Sequence, residues 1–413
     1  MNNIQIRTII NYLLLDFGIW KLVGKRRAGF LASGDMRVSH FTFSRRIWRQ
    51  IHLWIGLGLG ILLVPMGLTG VTLVFGGELD RLFAPSRYAV TGSAVEQPAG
   101  VYLANAAAAA QGSRAIALRW PRETGAPVTI VLRGGAAPDQ ARVAYLDPPT
   151  GRVLDVADQR GGFVGIAHSL HANLLSADVG RQIVGWIGVG LLTMVLTGLW
   201  LWWRRSVSLH KLLRWRRGPQ LSFNLHHMAG FWIAGPLAVM AVTGIIQSFP
   251  QQARAVIGFF AEVSPQPARQ ASAGGGMRQP ALDPQRAVDL ALQSGEGLQP
   301  VSLTPPAGQA RVWRVQMAKP DGQSQTALID DATSALTVAP VASGDAFTIW
   351  LRRIHEGKDH GPLWRAIVVV CGFSPTLFFL TGLLIWLRRR HGLKTSALRS
   401  PTMRADPQTL RQL

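Results

Sequence analysis

Four long stretches of this sequence lack any Asp, Glu, Lys or Arg, and they constrain the fold more than any other feature. They cover residues 50–77, 182–203, 218–253 and 366–387. Each stretch is long enough to cross a hydrocarbon core of roughly 30 Å, which takes about 20 helical residues. Because backbone polar groups must be satisfied within the lipid, an apolar run of this length predicts a spanning helix. The sequence therefore predicts a mainly α membrane protein built on a four-transmembrane-helix bundle.

The basic residues are distributed unevenly around these runs. Residues 1–49, 204–217 and 388–413 hold 22 of the 43 Lys and Arg residues but only three of the 22 acidic residues. By the positive-inside rule, these segments lie in the cytoplasm and the two long segments between spans lie outside. The formal net charge of +21 thus indicates topology rather than a nucleic-acid partner. We expect both termini to be cytoplasmic and the lipid bilayer to be a partner.

Several kinds of chemistry are excluded by the sequence. The one cysteine, Cys371, lies in the fourth apolar run, so no thiolate metal site or iron–sulfur cluster can be built. The glycines Gly56, Gly58 and Gly60 fall within a span, and no Gly-x-Gly-x-x-Gly unit links a strand to a helix. The sequence has no His-Glu-x-x-His pattern and predicts no catalytic triad. We therefore predict no nucleotide site and assign no catalytic residue.

The chain consists of two copies of one membrane unit. Each copy has one histidine near the start of its first span and another before its second span. A Thr-Gly pair follows the first histidine by 17 residues and the second by 26 residues in both copies. The four histidines are His52, His171, His226 and His355. Matched spacing of this kind indicates an internal duplication.

The segment between the two spans of each copy predicts a small α+β domain. A helix comes first, at residues 100–111 and 283–293, and strand-like runs follow it. The strand-like runs are residues 115–120, 128–132 and 141–146 in the first copy and 300–303, 312–317 and 325–329 in the second. The predicted segments are 1–49 cytoplasmic, 50–77 transmembrane, 78–165 periplasmic domain, 166–203 amphipathic segment and transmembrane helix, 204–222 cytoplasmic loop, 223–249 transmembrane, 250–345 periplasmic domain, 346–387 amphipathic segment and transmembrane helix, and 388–413 cytoplasmic tail.

The turn that closes the first set of strands carries the most specific motif. Residues 145–154 are Tyr-Leu-Asp-Pro-Pro-Thr-Gly-Arg-Val-Leu, a string that resembles the signature of PepSY domains. Residues 44–390 resemble the PepSY-associated transmembrane family of bacterial inner-membrane proteins, because this turn, the Thr-Gly-Leu-x-x-Trp span ends and the four histidines occur in the family order. The second copy departs from the pattern, with Asp331 and Ser334 where proline and glycine are expected.

This resemblance implies a cofactor and an activity. The family includes iron-regulated proteins and siderophore reductases of the ferrioxamine type, and the resemblance implies two b-type haems. The implied location is the bacterial inner membrane, with PepSY-like domains in the periplasm.

The histidines themselves point to the same cofactor. Haem iron is commonly held by axial imidazoles from the facing helices of a bundle. Topology places His52 and His226 at the cytoplasmic end and His171 and His355 at the outer end, so each end has one pair of iron ligands. The alternative is that they are interfacial residues that cap helices or contact lipid headgroups. His168 lies three residues before His171 on the same helix face and is the substitute ligand.

Two further features leave alternatives open. Gly56 and Gly230 follow the first histidine of each copy by four residues, which suits either a flat cofactor or close helix packing. Several arginines are predicted to contact haem propionates, and the alternative for the outer ones is that they attract an acidic or oxygen-rich iron chelate. These arginines are Arg181, Arg352, Arg353 and Arg365 on the outer side and Arg49 on the inner side.

These observations predict a haem-dependent ferric-siderophore reductase, an oxidoreductase of the inner membrane. Electrons from a cytoplasmic reductant or a membrane quinol would reduce a ferric siderophore or similar ferric chelate at the periplasmic face. Hard oxygen ligands prefer ferric iron, so reduction would release the metal. The alternatives are a non-enzymatic PepSY binding or regulatory protein, and a transporter of a chelate or of haem.

Overall fold

The computed structural model describes residues 36–134, 141–203, 218–264, 280–307, 311–319, 323–339 and 341–398. The chain divides into two compact units, Met1–Ile51 and His52–Leu413. The described part of the first unit is the beginning of helix α1 (Met36–Val74), and the other elements belong to the second unit. The predicted N-terminal segment, cytoplasmic loop and C-terminal tail fall mostly outside the described residues, at 1–35, 204–217 and 399–413.

Four helices within the described residues are long and apolar enough to cross a membrane. They are the Arg45–Val74 part of α1, α5 (Ala177–Trp202), α6 (Leu221–Ser248) and the Gly361–Arg390 part of α10 (Gly361–Leu398). The four predicted spans are thus confirmed in number and composition, in a chain whose described part is mostly helical. Pro65 and Pro236 lie inside α1 and α6, as expected for prolines that neighbouring helices tolerate.

Two spans end earlier than the apolar runs that predict them. α1 ends just before α2 (Gly76–Phe83) begins, and α6 ends just before α7 (Pro250–Ile257). Pro250 has no N–H to donate to the preceding turn, and its fixed φ suits the first turn of a new helix. An uncharged run therefore places the end of a span too late when a helix break lies inside it.

In each half, one short helix lies directly before the second span. These helices are α4 (Gly162–Asn173) before α5 and α9 (Ser343–Glu356) before α10. α4 ends at Leu174 with φ 49°, and α9 ends at Gly357 with φ 71°. A left-handed residue at this position terminates a helix and redirects the chain. His171 and His355 therefore lie in the last turn of a short helix and not in a span.

The strands of the two segments that follow α1 and α6 form one eight-stranded sheet, with the order β4-β3-β2-β1-β5-β6-β7-β8. The first four are β1 (Ser113–Arg119), β2 (Val128–Gly134), β3 (Arg142–Leu146) and β4 (Val153–Asp158). The last four are β5 (Gln299–Thr304), β6 (Val312–Ala318), β7 (Ser324–Asp330) and β8 (Leu336–Ala339). Six strands match the predicted ones, and β4 and β8 are additional.

The two sets of strands share one core. β1 pairs with β5 in antiparallel orientation, with Leu118 opposite Leu303. Exposed and buried residues alternate along β6, as in a sheet with one covered face. Residues of α3 (Ala99–Ala109) and α8 (Pro284–Leu292) belong to the buried cluster on that face. The expectation of two small α+β domains did not include this common sheet.

The turn with the PepSY-like string is organised by Asp147. Its side chain is fully buried and accepts hydrogen bonds from the N–H and the hydroxyl of Thr91, both at 2.7 Å. Gly151 has φ 70°, a conformation that favours glycine. Ser334 adopts φ 58° at the corresponding place after β7, where Asp330 accepts hydrogen bonds from two backbone N–H groups. The second turn therefore forms despite the departure in its sequence.

We expect Leu303→Ala to lower the free energy of unfolding by about 2–5 kcal/mol, because the substitution leaves a cavity in a fully buried site. Urea unfolding of the purified protein in detergent, followed by the far-ultraviolet dichroism of the sheet, measures this change. Val338→Ala in β8 is the control, since Val338 is 38% exposed and should lose less than about 1 kcal/mol. Separate unfolding of β1–β4 and β5–β8 would contradict the shared core.

Candidate functional site

The structure brings the predicted histidines together in two pairs. The first pair joins His52 of α1 to His226 of α6, with ring centres 6.3 Å apart and ring planes at 84°. The second pair joins His171 of α4 to His355 of α9, at 6.2 Å and 54°. Each pair takes one histidine from each half of the chain, and no pair forms within a half.

His168 does not join the second pair. It lies on α4 one turn before His171, but its side chain is on the exposed side of the helix. His171 is largely buried and faces the ring of His355. The geometry therefore favours His171 over the substitute candidate.

A threonine holds each ring of the first pair in place. Nδ1 of His52 lies 2.9 Å from Oγ1 of Thr197, and Nδ1 of His226 lies 2.9 Å from Oγ1 of Thr381. Each threonine hydroxyl donates its one proton to the carbonyl four residues earlier, at 2.7 Å in both cases. Oγ1 must then accept from the imidazole, so Nδ1 carries the proton and Nε2 keeps a free lone pair.

In the second pair, a hydrogen bond to Nδ1 also holds each ring, but the acceptor is a threonine hydroxyl for one ring and mainly a backbone carbonyl for the other. Nδ1 of His355 lies 2.8 Å from Oγ1 of Thr243, whose hydroxyl donates to a backbone carbonyl at 2.7 Å. Nδ1 of His171 donates to the carbonyl oxygen of Met66 at 2.9 Å and lies 3.4 Å from Oγ1 of Thr69. A carbonyl oxygen can only accept, so His171 also has its proton on Nδ1. All four rings thus present an unprotonated Nε2.

The glycine after each threonine makes room for the ring. A Cβ atom built on Gly198 or Gly244 would lie 3.2 Å from Cε1 of the neighbouring histidine, and the corresponding distances are 3.1 Å at Gly70 and 3.6 Å at Gly382. Such contacts are mostly tighter than ordinary van der Waals packing, so a side chain here would push the ring away. In every Thr-Gly pair, the threonine therefore lies beside Nδ1 of a histidine and the glycine leaves space for the same ring.

The role of the threonines as partners of the histidines was not predicted from the sequence. In the sequence the Thr-Gly pairs mark the repeat, and their fixed distance from each histidine is the signal that connects the two. The partners lie on neighbouring spans, at separations of 145, 155, 102 and 112 residues. The pairing of each threonine with its histidine depends on which helices pack together, which spacing along the chain does not reveal.

The donor set of each pair suits the two axial positions of a metal macrocycle. A bare metal ion such as zinc needs about four protein ligands. Among the described residues, no group of three or more His, Cys, Asp or Glu could hold a metal ion. A macrocycle brings its own equatorial nitrogens and requires only two ligands from the protein. Two facing imidazoles with free Nε2 lone pairs meet that requirement.

Burial keeps the second pair in the form that binds metal. It lowers the pKa of His171, and it lowers the pKa of His355 to about 4, with a further contribution from neighbouring His171. Both rings are therefore neutral at pH 7. Only neutral imidazole has a lone pair for iron.

The outer arginines lie in ion pairs with the protein's own carboxylates. Arg181 pairs with Asp178 at 2.9 Å, Arg352 with Glu356 at 2.6 Å and Arg353 with Asp359 at 3.4 Å. Arg365 contacts Glu78 and donates to the carbonyl of Val74 at 3.0 Å. Exposed pairs contribute only about 0–1 kcal/mol each, so a stronger anion can displace the carboxylate. Arg49 lies in the first unit, and its role stays a prediction.

Gly56 and Gly230, which follow the first histidine of each half by four residues, differ in their surroundings. A Cβ on Gly56 would lie 2.9 Å from the methyl group of Met194, which indicates close packing between α1 and α5. A Cβ on Gly230 would meet only Phe378, at 3.9 Å. Helix packing therefore accounts for Gly56, while the face at Gly230 is more open.

A comparison with protein-family models identifies the chain. The model of the PepSY-associated TM region matches residues 49–389. This match covers well over half of the sequence, so the chain belongs to that family, as the sequence analysis predicts. With its four apolar helices, the chain is a multi-pass membrane protein. A search of curated proteins finds no match.

Proposed function

We propose that this member of the PepSY-associated family is a di-haem electron-transfer protein of the bacterial inner membrane. In this proposal it reduces a ferric siderophore or a similar ferric chelate at the periplasmic face and so releases the iron. The observation that carries the proposal is the meeting of four histidines in two cross-half pairs.

The spacing of the rings supports a metal between them. An imidazole nitrogen lies roughly 2 Å from a bound transition-metal ion, so two rings that would hold one ion between them would have centres about 6 Å apart once the ring size is added. The observed separations are 6.3 and 6.2 Å. His52 and His226 would hold one haem, and His171 and His355 the other. Haem iron, when bound, supplies reversible one-electron exchange.

The protein's own residues set the properties of each site. Thr197, Thr381 and Thr243, with the carbonyl of Met66, accept the Nδ1 protons and so orient the rings with Nε2 inward. A hydrogen bond of this kind makes the imidazole a stronger donor and fixes its tautomer. With one imidazole from each half bound to it, such a haem would have no vacant site for oxygen, which would suit electron transfer rather than oxygen activation.

Two sites at opposite ends of the spans suit passage of electrons across the membrane. Along α1, His52 and Thr69 are separated by roughly 25 Å at 1.5 Å per residue, and Thr69 lies beside His171 of the second pair. The positive-inside distribution supports a cytoplasmic first pair and a periplasmic second pair. The donor would be a cytoplasmic reductant or a membrane quinol.

The two halves have the same order of elements, which supports the proposed duplication. Each has a span, a short helix, an extramembrane helix, four strands, a second short helix and a second span. Each half encloses its own His–Thr contacts, while each proposed cofactor would lie between halves. The substrate side would be the exported sheet and the outer arginines, whose exposed ion pairs leave them able to bind an anionic chelate.

We predict close to two haems per chain in protein purified from haem-supplied cells. Each single His→Ala change at 52, 171, 226 or 355 should leave about one. The double variant His52→Ala/His226→Ala should also keep about one, because both ligands serve one site. His52→Ala/His171→Ala should keep none. Haem and protein assays give the ratio, and His168→Ala is the control that keeps two. Colourless wild-type protein would favour a non-enzymatic binding role.

A second prediction concerns the hydrogen bond to the ring. Thr197→Val keeps the shape of the side chain but removes the acceptor for Nδ1 of His52. We expect haem affinity at the first site to fall about 10–100-fold, as is typical for such ligand-orienting partners. Haem titration of the apoprotein measures this. Thr193→Val is the matched control, since Thr193 lies one turn earlier on α5 and bonds only to the carbonyl of Val189. Equal affinities in both variants would contradict the assigned role.

The activity can be tested in vesicles that enclose a ferric hydroxamate chelate and an indicator for ferrous iron. Dithionite added outside should produce the ferrous colour inside, through molecules with their cytoplasmic face outward. His226→Ala and His355→Ala should reduce the rate at least tenfold, because each removes one site of the path. His360→Gln, which changes an exposed histidine outside both pairs, should react like wild type. Exit of intact ferric chelate would instead identify a transporter.

A further inference from the structure

A cavity of about 320 Å³ lies between the start of α6 and the last turns of the fourth span. Its size falls in the range of roughly 300–1,000 Å³ that is usual for small-ligand sites. The lining residues are Gly218, Pro219, Gln220, Phe223, Arg388 and Arg389. The cavity is distinct from the histidine pairs, since none of the four histidines lines it.

The wall on the α6 side is held in a fixed shape. The side chain of Asn224 accepts a hydrogen bond from the N–H of Gly218 at 3.0 Å and donates to the carbonyl of the same residue at 2.8 Å. This reciprocal pair fixes the turn that leads into the helix. Phe223 stacks on His227 with ring centres 5.5 Å apart and planes at 12°. The cavity is therefore built on a preformed turn and a packed aromatic ring.

The two arginines of the cavity differ in their pairing from the outer ones. Arg181, Arg352, Arg353 and Arg365 each have a carboxylate partner. Within the described ranges, Arg388 and Arg389 form no ion pair. The sequence offers few candidates elsewhere, since residues 204–217 contain no acid and residues 399–413 contain one. Both guanidinium groups are exposed, so an anion from outside the protein can approach them.

We infer that this cavity binds a phosphate group. Guanidinium groups bind phosphate with paired, charge-assisted hydrogen bonds, and a phosphate supplies the negative charge that the chain lacks here. Gln220, whose side-chain amide can donate hydrogen bonds, also lines the cavity. The phosphate could belong to an anionic lipid headgroup or to a soluble phosphate compound. The position at the ends of two spans favours the lipid, because basic pockets between spans on the cytoplasmic side commonly hold such headgroups.

The test compares single variants of equal charge. Native mass spectrometry of the full chain in detergent measures retention of dioleoylphosphatidylglycerol, with dioleoylphosphatidylcholine as the lipid of no net charge. We expect Arg388→Gln and Arg389→Gln each to weaken phosphatidylglycerol binding about fivefold. Arg390→Gln is the matched control, because Arg390 lies over the ring of Trp386 and does not line the cavity. It should bind like wild type.

A charge-neutral variant separates a defined site from general attraction. Gln220→Trp fills the cavity and leaves every arginine in place, so it should also abolish preferential phosphatidylglycerol binding. A second experiment, calorimetric titration with inorganic phosphate, distinguishes a soluble phosphate compound from a lipid headgroup. Binding of inorganic phosphate that depends on Arg388 and Arg389 assigns a soluble source, and its absence beside specific lipid retention assigns the lipid.

Three outcomes would overturn the inference. The first is equal lipid loss in Arg388→Gln, Arg389→Gln and Arg390→Gln, which indicates diffuse charge. The second is undiminished binding by Gln220→Trp, which places the ligand elsewhere. The third is loss of haem absorbance in the cavity variants, which assigns the arginines to cofactor carboxylates. The inference does not depend on the proposed function, because lipid or phosphate binding can be measured whether or not the protein carries haem.

Discussion

The hydrogen bond between Nδ1 of each histidine and an acceptor on a neighbouring span is the interaction on which the rest of the site depends. It fixes the tautomer, aims Nε2 away from the acceptor and links a short outer helix or a span to its neighbour. Each threonine hydroxyl donates its proton to a backbone carbonyl of its own helix, so its oxygen is left to accept the proton of the histidine Nδ1. Removal of that acceptor would leave a polar N–H in an apolar bundle, which is costly.

The architecture places these rings so that neither half makes a site alone. The His–Thr contacts lie within a half, whereas both ring–ring contacts lie between halves. The eight-stranded sheet also joins the halves, because β1 pairs with β5 and the strands of both halves share one buried core. In the proposed function, contacts in the membrane bundle and in the sheet therefore both hold the two halves together. These contacts would also fix the position of the cofactor sites relative to the substrate surface.

The sequence predicts the parts of this structure that depend on local composition and spacing. Spans follow from the absence of charge, and six strands follow from their alternating apolar residues. Matched spacing also singled out His52, His171, His226 and His355 from the other histidines. Long-range packing was not predictable in the same way. The β1–β5 pairing, the role of Thr197 and its equivalents, and the ion pairs of the outer arginines all depend on which elements meet in space.

The central claim is that each metal ion is held by one imidazole from each half. Electron paramagnetic resonance of the oxidised, haem-supplied protein tests it most directly, because the spectrum reports the axial ligands and the angle between their planes. The account predicts two low-spin ferric bis-imidazole signals, the more anisotropic from the first pair, whose rings stand at 84° against 54° in the second. Only high-spin ferric signals, or no ferric haem at all, would contradict it.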